Sequence, residues 1–420
     1  TCKIDYEMLF QKGKHERGKS KMSKVYVVNA KRTAIGSFLG TLKNTSAVDL
    51  GAAVLKNVIE ESKINPADLD EVIVGNILSA GLGQGVGRQV AIKAGVPDDV
   101  PAYSLNILCG SGMKAVMNAV VSIKAGYSNL VVAGGVESMS GAPYLIPAST
   151  RNGFKMGEMK VVDHMLNDAL TDAFDKIHMG ITAENIAEKY NITREEQDRY
   201  AAESQRRAIE AVDAGRFKEE IVPIKVKAGR EEVTFDTDEF PNRKTNFDKL
   251  STLRPAFKKD GTVTAGNASG INDGASMVLL ASEEAVAKYN LTPIAEVVGI
   301  GQGGVDPKVM GLGPTPAIRA ALKDAGLKLQ DMDVMELNEA FAAQTLGVAH
   351  ELSEEHGMAK EEIFKRANPN GGAIALGHPV GASGNRIIVT LLHEMEVGQT
   401  GLASLCIGGG MGTAVVLKKL

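Results

Sequence analysis

The sequence predicts an α/β protein made of two similar halves, with a segment of different character inserted between them. Short β-rich runs alternate with helix-period segments in the first third, which is typical of βαβ units and a largely parallel sheet. The last third repeats this style, and 420 residues are too many for one core of the usual ~100–200 residues. The stretch at about 141–272 carries a charged amphipathic helix and many turn residues, so we expect an inserted loop domain or a lid there.

Strands and helices alternate regularly in the first half. Strand-like runs occur at 25–28 (VYVV), 71–78 (EVIVGNIL) and 129–135 (NLVVAGG), and a helix-period segment covers about 48–61. Residues 1–22 are rich in Lys and have neither the apolar stretch of a secretory signal nor the Arg/Ser pattern of a transit peptide. We therefore expect a leader segment that is not part of the fold.

The last third has the same arrangement. Strand-like runs at 295–301, 334–341 and 401–410 alternate with a helix expected from about Thr315 to Ala325. Two long stretches are also alike, NILCGSGMKAVMNAVVSIKAGYSNLVVAGG and GHPVGASGNRIIVTLLHEMEVGQTGLASLCIGGG. Each has a small-residue turn, an apolar-periodic helix, a Gly-containing break and a short strand that ends in glycines. This similarity predicts an internal duplication.

Composition excludes several classes of protein. With 44% hydrophobic residues, 23% charged residues and a formal net charge of -4, the chain resembles an ordinary soluble globular protein, with no general reason to bind nucleic acid or an anionic membrane. No run approaches the ~18 apolar residues of a membrane span. The three cysteines, Cys2, Cys109 and Cys406, cannot build a disulfide framework or a four-thiolate zinc site, which indicates a reducing compartment.

Cys109 is a candidate nucleophile. It lies in NILCGSG, immediately before a helix pattern expected from Met113 to Ala125. The unpaired N–H groups and the dipole of a helix start favour a thiolate, so we expect a lowered pKa for this thiol. A buried structural cysteine is the alternative, because free Cys is usually a small core hydrophobe. The local pattern leaves both interpretations open.

Cys406 ends a strand and is followed by IGGGMG. Successive glycines after a strand form a turn whose N–H groups can converge on an anion, so this second thiol borders a candidate oxyanion hole. A tight strand exit with an incidental cysteine is the alternative, and on this motif alone it is the better interpretation.

His378 and Asn338 are two further candidates. His378 lies in NGGAIALGHPVGASG before a helix expected near Ala382, where its ring can project into a cleft and accept a thiol proton. A surface histidine that only hydrogen-bonds within a turn is the alternative. Asn338 closes a strand in ELNEAFA and opens a helix, where it could be an N-cap.

Other ligand-binding motifs do not fit. GIGQGG at 299–304 matches G-x-G-x-x-G after a strand, but Pro307 and GLGP at 311–314 replace the helix that a dinucleotide site requires. The glycine-rich run at 81–87 misses the spacing, and no Walker A sequence occurs. The histidines include no H-E-x-x-H pair and no nearby Cys cluster, so we expect no metal.

Four blocks in this order resemble the thiolase family: NILCGSGMKAV, NEAFA, NGGAIALGHPVGASG and CIGGGMG. The resemblance extends from Met22 to Leu420, and DHMLNDALTDAFDKIHMGITAEN with TVTAGNASGINDGA resembles the family's CoA-contacting loops. It implies two duplicated halves, each with a five-stranded mixed sheet and layered helices, and a loop domain inserted in the first. The implied boundaries are 23–140 and 273–293 for the N-terminal half, 141–272 for the loop domain of CoA binding and tetramerisation, and 294–420 for the C-terminal half.

The resemblance also implies catalytic roles. Cys109 resembles the nucleophile that holds the acyl group, His378 the base that takes its proton, and Cys406 the acid/base at the α-carbon of the second acetyl-CoA. Asn338 resembles the residue that positions a water, which binds the enolate-like oxygen together with the His378 N–H. The backbone N–H groups of Cys109 and Gly408 resemble a second oxyanion hole.

Substrate contacts are implied in the same way. His178 and Ser269 resemble contacts to the pantetheine, and Arg243 resembles a contact to the nucleotide end of CoA. The residues that resemble the lining of the acyl or pantetheine channel are Leu170, Met310, Ala340 and Phe341.

The implied activity is that of an acetyl-CoA C-acetyltransferase. Two acetyl-CoA give acetoacetyl-CoA and CoA, reversibly, through an acetyl group on Cys109. CoA is a substrate and product, and the resemblance implies no metal or redox cofactor. It also implies a homotetramer, a dimer of dimers, and we expect a cytoplasmic protein whose partners are acetyl-CoA, acetoacetyl-CoA and CoA.

Two alternatives remain open. One is a degradative 3-ketoacyl-CoA thiolase of broader chain length, with the same catalytic residues and a roomier acyl pocket. The other is a non-catalytic thiolase-fold CoA-binding protein, which would have no reason to retain Cys109, His378 and Cys406 together. A ketoacyl synthase is disfavoured because it would carry His or Asn in place of Cys406.

Overall fold

The computed structural model describes residues 24–420. The strands are β1 (Val25–Arg32), β2 (Gly36–Ser37), β3 (Glu71–Gly75), β4 (Ala102–Leu105), β5 (Leu130–Ser138), β6 (Tyr144–Leu145), β7 (Val162–Asp163), β8 (Ile224–Ala228), β9 (Glu231–Phe235), β10 (Asn272–Ser282), β11 (Ala295–Gly304), β12 (Val334–Leu337), β13 (Thr400–Ile407) and β14 (Met411–Lys419). The expected leader at 1–22, with Cys2, lies outside the described residues.

The α-helices are α1 (Ala47–Ser62), α2 (Val86–Lys93), α3 (Ser111–Lys124), α4 (His164–Asp168), α5 (Met179–Tyr190), α6 (Arg194–Asp213), α7 (Phe247–Ser251), α8 (Glu283–Lys288), α9 (Pro314–Ala325), α10 (Ala342–His356), α11 (Lys360–Arg366), α12 (Ala373–Leu376) and α13 (Val380–Glu394). Short 3₁₀ helices occur at Pro66–Asp68, Ala148–Asn152, Pro307–Leu312 and Leu329–Asp331. None of the helices in residues 24–420 combines the length and the apolar character needed to cross a membrane.

The strands of both halves form one mixed sheet in which the same pairing pattern occurs twice. In the first half the order is β1-β10-β5-β3-β4, and in the second it is β11-β14-β13-β12. In each half the first two pairings are antiparallel and the next is parallel. The halves meet where β1 pairs with β11, at Tyr26–Glu296 and Val27–Ala295. The expected internal duplication is therefore confirmed.

The sheet differs from the sequence expectation in three respects. It is not largely parallel, because the last strand of each half, β10 or β14, returns antiparallel beside the first. The runs at 71–78 and 334–341 leave the sheet at Gly75 and Leu337, because the residues that follow turn into loops. Residues 294–420 form four strands instead of the expected five. In place of the fifth strand there is a single parallel bridge between Met335 and Ala367.

The fold has five layers, and three large apolar cores fill the four interfaces between them, because the middle core spans two interfaces. On one side α1 and α2 cover the first-half strands, with Leu50, Val54 and Val132 in the core. On the other side α9 and α10 cover the second-half strands. Between the two sets of strands lies a middle layer of α3 and α13, whose Val120 and Leu391 pack against strands of both halves. Burial of these apolar side chains is the main stabilising contribution to such a layered fold.

Helices α3 and α13 approach each other closely through glycine. A Cβ on Gly112 would lie 2.9 Å from the backbone nitrogen of Asn385, and one on Gly384 would lie 2.7 Å from that of Met113. Any side chain at these positions would force the helices apart. Their close contact brings together the loops that precede α3 and α13, which carry Cys109 and His378.

The segment between β5 and β10 contains α4 to α7 and two small antiparallel sheets, β6–β7 and β8–β9. A buried ion-pair network attaches it to the first half: Arg32 of β1 contacts Glu220 (Nε–Oε1 2.5 Å) and Asp238 (Nη1–Oδ1 2.7 Å). This placement is compatible with an inserted domain at 141–272, whose boundaries stay a prediction.

Candidate active site

Cys109 lies in the loop between β4 and α3. The loop is held by Ser111, whose hydroxyl accepts from Ile107 N–H (2.9 Å) and donates to the Leu108 carbonyl (2.6 Å). Leu108 has φ 50°, an uncommon conformation for a non-glycine residue. The helix begins at Ser111, two residues earlier than expected, so Cys109 stands just ahead of its first turn.

The thiol of Cys109 is not activated by its position in the free protein. Burial raises its pKa to about 11, although the backbone N–H groups of Gly408 and of Cys109 itself favour the thiolate. The nearby carboxyl of Glu137 raises the pKa further. The expectation of a lowered pKa is therefore wrong, because desolvation outweighs the helix start.

His378 is held on two sides. Its backbone N–H donates to Asn272 Oδ1 (2.9 Å), and its ring Nδ1 lies 2.6 Å from the hydroxyl of Ser383 in α13. Burial, with a smaller contribution from the Arg386 guanidinium, lowers the pKa of His378 to about 4. The imidazole is therefore a neutral group near pH 7, and a surface role is excluded because the residue is buried.

Cys406 is the second-last residue of β13 and is buried. Burial is the main cause that raises the pKa of its thiol, and the proximity of Cys109 adds to it. The glycines that follow form the expected turn, with φ 82° at Gly409 and 85° at Gly410. The two thiols are therefore neighbours, one from each half of the duplication.

Asn338 follows β12 and does not cap a helix. Helix α10 begins at Ala342 with Phe341 at its N-cap position, so the capping interpretation is wrong. The backbone N–H of Asn338 donates to the carbonyl of Ser404 in β13 (3.0 Å). Its side chain is buried, and neither of its polar atoms has a hydrogen-bond partner within residues 24–420. A buried amide with free donor and acceptor is suited to holding a water.

A largely apolar cavity of about 470 Å³ joins these residues. This volume is typical of small-molecule sites. The predicted residues that line it are Cys109, His378, Cys406, Leu170, His178, Ser269, Met310, Ala340 and Phe341. Gly408 contributes through its N–H toward Cys109, and Asn338 lies outside the lining.

Arg243 is placed away from this cavity. Its exposed guanidinium forms a two-point ion pair with Asp213, with Nη1–Oδ2 at 2.8 Å and Nη2–Oδ1 at 2.5 Å. The structure therefore does not bring Arg243 together with the other predicted residues.

The inserted segment forms one wall of the cavity. Ser269 N–H donates to the Ala340 carbonyl (2.9 Å), which fixes this segment against the second half. His178 precedes α5, accepts from Gly180 N–H at Nδ1 (3.0 Å) and stacks on Phe257 at 4.6 Å between ring centroids. Because burial lowers its pKa and Nδ1 is an acceptor, the neutral ring carries its proton on Nε2 and can donate to a ligand.

Sequence reasoning missed several residues of the site. Phe257, Met139 and Val380 line the cavity, and Ser383 and the buried Glu137 support it from behind. Only two of these had a signal in the sequence. Glu137 is an acid at the end of the apolar run LVVAGGVES, and Ser383 follows His378 by five residues.

Glu137 ties two loops of the site together. Its carboxyl accepts from the backbone N–H groups of Ile77, Leu78 and Gly381 (3.1, 3.1 and 3.0 Å) and from the Asn76 amide (3.0 Å). Burial raises its pKa to about 7 against these donors. Within residues 24–420 no group of three or more His, Cys, Asp or Glu side chains is placed to hold a metal ion.

Comparison with known proteins identifies both halves. The family model described as "Thiolase, N-terminal domain" matches residues 25–284, and "Thiolase, C-terminal domain" matches 291–419. A protein of Chromobacterium violaceum named acetyl-CoA acetyltransferase is 52% identical over 398 residues, covering 94% of this chain and 99% of its own length.

Solved structures are similarly close. The acetyl-CoA acetyltransferase of Syntrophomonas wolfei superposes with a TM-score of 0.92 at 43% identity, covering 95% of this chain and 100% of its own. Human mitochondrial 3-ketoacyl-CoA thiolase superposes with a TM-score of 0.90 at 44% identity, with the same coverage of both chains.

Proposed function

Because the chain belongs to the thiolase family, we propose that it is an acetyl-CoA C-acetyltransferase, which converts two acetyl-CoA into acetoacetyl-CoA and CoA and also catalyses the reverse thiolysis. One observation carries the proposal. The thiols of Cys109 and Cys406 and the imidazole of His378 line a single apolar cavity, which supplies a nucleophile and two proton-transfer groups at one place.

Cys109 acts in the first half-reaction. Its sulfur attacks the thioester carbon of acetyl-CoA while Nε2 of His378 takes the thiol proton. The C–S bond to CoA breaks, and the leaving sulfur takes the proton of Cys406. Both thiols are neutral in the free protein, since burial raises both pKa values, so each has a proton to give.

Cys406 acts in the second half-reaction. Its thiolate removes a proton from the methyl carbon of a second acetyl-CoA, and the resulting carbanion attacks the acetyl group on Cys109. Acetoacetyl-CoA forms, the Cys109 sulfur leaves, and the proton stored on His378 returns to it. All protons balance over this cycle, and we propose that it uses no cofactor, since CoA is a substrate and product.

Two sets of donors serve the two negative oxygens that develop. The N–H groups of Gly408 and Cys109 stabilise the oxyanion at the attacked thioester carbon. The imidazole N–H of His378, with a water positioned by Asn338, stabilises the enolate. The free amide of the buried Asn338 supports this role.

The apolar walls bind the acyl and pantetheine parts of the substrate. We assign Leu170, Met310, Ala340 and Phe341 to this channel, and His178 and Ser269 to polar contacts with the pantetheine. Arg243 is proposed to meet the nucleotide end, which requires its guanidinium to exchange Asp213 for a CoA phosphate.

The nearest alternative is a degradative thiolase of broader chain length, and the similarity to human 3-ketoacyl-CoA thiolase keeps it under consideration. A thiolysis assay comparing acetoacetyl-CoA with a six- to ten-carbon 3-ketoacyl-CoA separates the two. The proposal predicts a higher kcat/KM for acetoacetyl-CoA, and a preference for the longer substrate would favour the alternative. Absence of turnover with both, despite CoA binding, would favour a non-catalytic protein.

The remaining assignments rest on the family. We propose a homotetramer built as a dimer of dimers, located in the cytoplasm, with the loop domain at 141–272 serving CoA binding and assembly. Light scattering of the purified chain tests the tetramer directly.

A further inference from the structure

The imidazole of His378 has one hydrogen-bond partner behind it. Nδ1 lies 2.6 Å from the hydroxyl oxygen of Ser383, and both residues are buried. The same oxygen lies 3.0 Å from the carbonyl of Pro379, four residues earlier. Serine in a helix commonly donates to the carbonyl at that spacing.

The hydrogen bonds of the Ser383 hydroxyl favour one tautomer of the ring. A serine hydroxyl has one proton, and the Pro379 carbonyl can only accept it. The Pro379 carbonyl also accepts from the backbone N–H groups of Ala382 and Ser383 (both 2.9 Å). With the hydroxyl proton directed at this carbonyl as well, the Ser383 oxygen accepts from Nδ1–H. A neutral imidazole carries one N–H, so Nε2 is left with a lone pair.

We propose that Ser383 is a positioning residue that fixes His378 in the tautomer with the proton on Nδ1, so that Nε2 is the basic nitrogen facing the substrate cavity. The inference rests on the proposed function, in which Nε2 takes the proton of Cys109. No atom of Ser383 enters the reaction. The proton moves from the Cys109 sulfur to Nε2 and later returns, while Nδ1–H stays bonded to Ser383 throughout.

The surroundings of the ring favour this role. Burial and the Arg386 charge keep the imidazole neutral, so its tautomer decides whether Nε2 is a base or a donor. Asn272 fixes only the backbone of His378, and the hydroxyl of Ser383 is the contact that distinguishes the two ring nitrogens. The group beyond Ser383 is the neutral carbonyl of Pro379 and not a carboxylate, so it does little to stabilise a positive charge on the imidazole.

The experiment compares Ser383→Ala with Ser276→Ala. Ser276 is also a buried serine that bonds the first turn of α13, through its hydroxyl and the Ala382 carbonyl (3.1 Å), but it does not touch the imidazole. We expect Ser383→Ala to slow acetylation of Cys109 by about tenfold or more, with the KM for acetyl-CoA nearly unchanged. Ser276→Ala should keep the rate of the unmodified protein.

The spectroscopic readout is nitrogen-15 NMR of histidine-labelled protein in the solid state, with the His378 signals identified by their loss in His378→Ala. The unmodified protein should show Nδ1 protonated and Nε2 unprotonated. Ser383→Ala should show a new population with the proton on Nε2, and Ser276→Ala should not. A ring that is Nε2-protonated in the unmodified protein would overturn the inference.

Two larger variants separate the hydroxyl from packing. Ser383→Thr and Ser383→Val have nearly the same shape, and only Thr keeps the hydroxyl. Cys109 should be acetylated faster in Ser383→Thr than in Ser383→Val, and equal rates in active proteins would overturn the inference. Equal rates for Ser383→Ala and Ser276→Ala would do the same. Failure of the proposed function is distinct, because the unmodified protein would then not acetylate Cys109 from acetyl-CoA, whereas failure of this inference leaves that acetylation intact.

Discussion

The backbone N–H of Gly408 lies near enough to the sulfur of Cys109 to favour its thiolate, although the two residues belong to different halves of the duplicated fold. Their loops are in tight contact. A Cβ on Gly408 would lie 2.9 Å from Leu108 Cδ1, and one on Gly110 would lie 2.3 Å from Ile407 Cδ1. A donor fixed in this way can stabilise, without reorganisation, the oxyanion that forms on the thioester carbon attacked by this sulfur.

Gly408→Ala should therefore weaken acyl transfer. The added Cβ must displace the Leu108 side chain or the loop, which moves the N–H away from the reacting carbon. We expect kcat to fall by about 10²-fold, with a small change in KM because the cavity lining is kept. Steady-state thiolysis of acetoacetyl-CoA measures both. Gly304→Ala is a control, since its Cβ would meet nothing closer than 3.7 Å. An unchanged kcat in Gly408→Ala would remove this oxyanion hole from the mechanism.

The raised pKa of Cys109 predicts how the thiol responds to pH without substrate. Its value of about 11 means that the thiolate fraction is small at pH 7 and grows as the pH rises. Alkylation by iodoacetamide, followed on the Cys109 peptide by mass spectrometry, should accelerate by about tenfold per pH unit between pH 7 and 10. Glutathione in the same buffers should level off earlier. A plateau for Cys109 near pH 8 would show that the helix start outweighs burial.

The residues that we propose to be catalytic could be located in the sequence because each belongs to a local pattern. Cys109 and His378 precede helices, Cys406 nearly ends a strand, and small residues mark each turn. The pKa of Cys109 was not predictable in this way, since burial depends on loops that are distant in the chain. The same holds for Phe257, whose contact with His178 is set by tertiary packing.

The ends of strands and the partners of charged side chains also could not be predicted from local patterns. Apolar runs identify strands, but nothing in the run at 71–78 indicates that the strand ends at Gly75. Just beyond it, the N–H groups of Ile77 and Leu78 donate to the buried carboxyl of Glu137. For Arg243 the sequence suggested a contact that the structure does not contain. The motif resemblance gave it a role, while its charge is satisfied by Asp213, whose place beside it no local pattern indicates.

Glu137→Gln should change stability in a way that depends on pH. The pKa of Glu137 is raised from 4.5 to about 7, so between these values the folded protein binds more protons than the unfolded chain. Its contribution to the free energy of unfolding therefore falls as the pH rises from 4.5 to 7. Gln does not titrate, and its amide N–H groups would face backbone N–H groups that need an acceptor. This should lower the free energy of unfolding by about 1–3 kcal/mol.

Urea unfolding at pH 5 and pH 7.5, at one protein concentration, checks this prediction. The stability advantage of the unmodified protein over Glu137→Gln should be larger at pH 5 than at pH 7.5. His378 titrates in both proteins and cancels in the difference. An advantage that grows with pH would show that the carboxylate is stabilised by its four donors.

Arg243 can be tested with substrates that differ in the nucleotide. If its guanidinium meets the nucleotide end, Arg243→Ala should raise the KM for acetyl-CoA by up to about fivefold, the scale of an exposed ion pair. The KM for acetyl-pantetheine, which lacks the nucleotide, should not change. Asp213→Asn should lower the KM for acetyl-CoA by freeing Arg243. Equal effects of Arg243→Ala on both substrates would contradict a nucleotide contact.

Cys109 and Cys406 should separate in the two half-reactions. Cys109 must bond to the acyl carbon, whereas Cys406 moves a proton at the α-carbon of the second acetyl-CoA. Burial and the neighbouring Cys109 raise the pKa of Cys406, so its thiolate, once formed, is a strong base. In Cys406→Ala, acetylation of Cys109 should survive better than condensation, which should fall by several orders of magnitude. Serine at 406 should rescue little, because a hydroxyl is far less acidic than a thiol.

The measurement is methyl deuterium incorporation into acetyl-CoA in heavy water, with acetylation of Cys109 followed in the same sample. Cys109→Ala is the matched variant, since it removes a thiol of the same cavity but should abolish acetylation itself. Deuterium exchange at the rate of the unmodified protein in Cys406→Ala would mean that another group takes the carbon-bound proton. In the first half-reaction Cys406 only gives a proton to the CoA sulfur, which is a good leaving group as a thiolate, so acetylation should slow much less than exchange. Equal loss of acetylation and exchange in Cys406→Ala would show that the two thiols do not have separate roles.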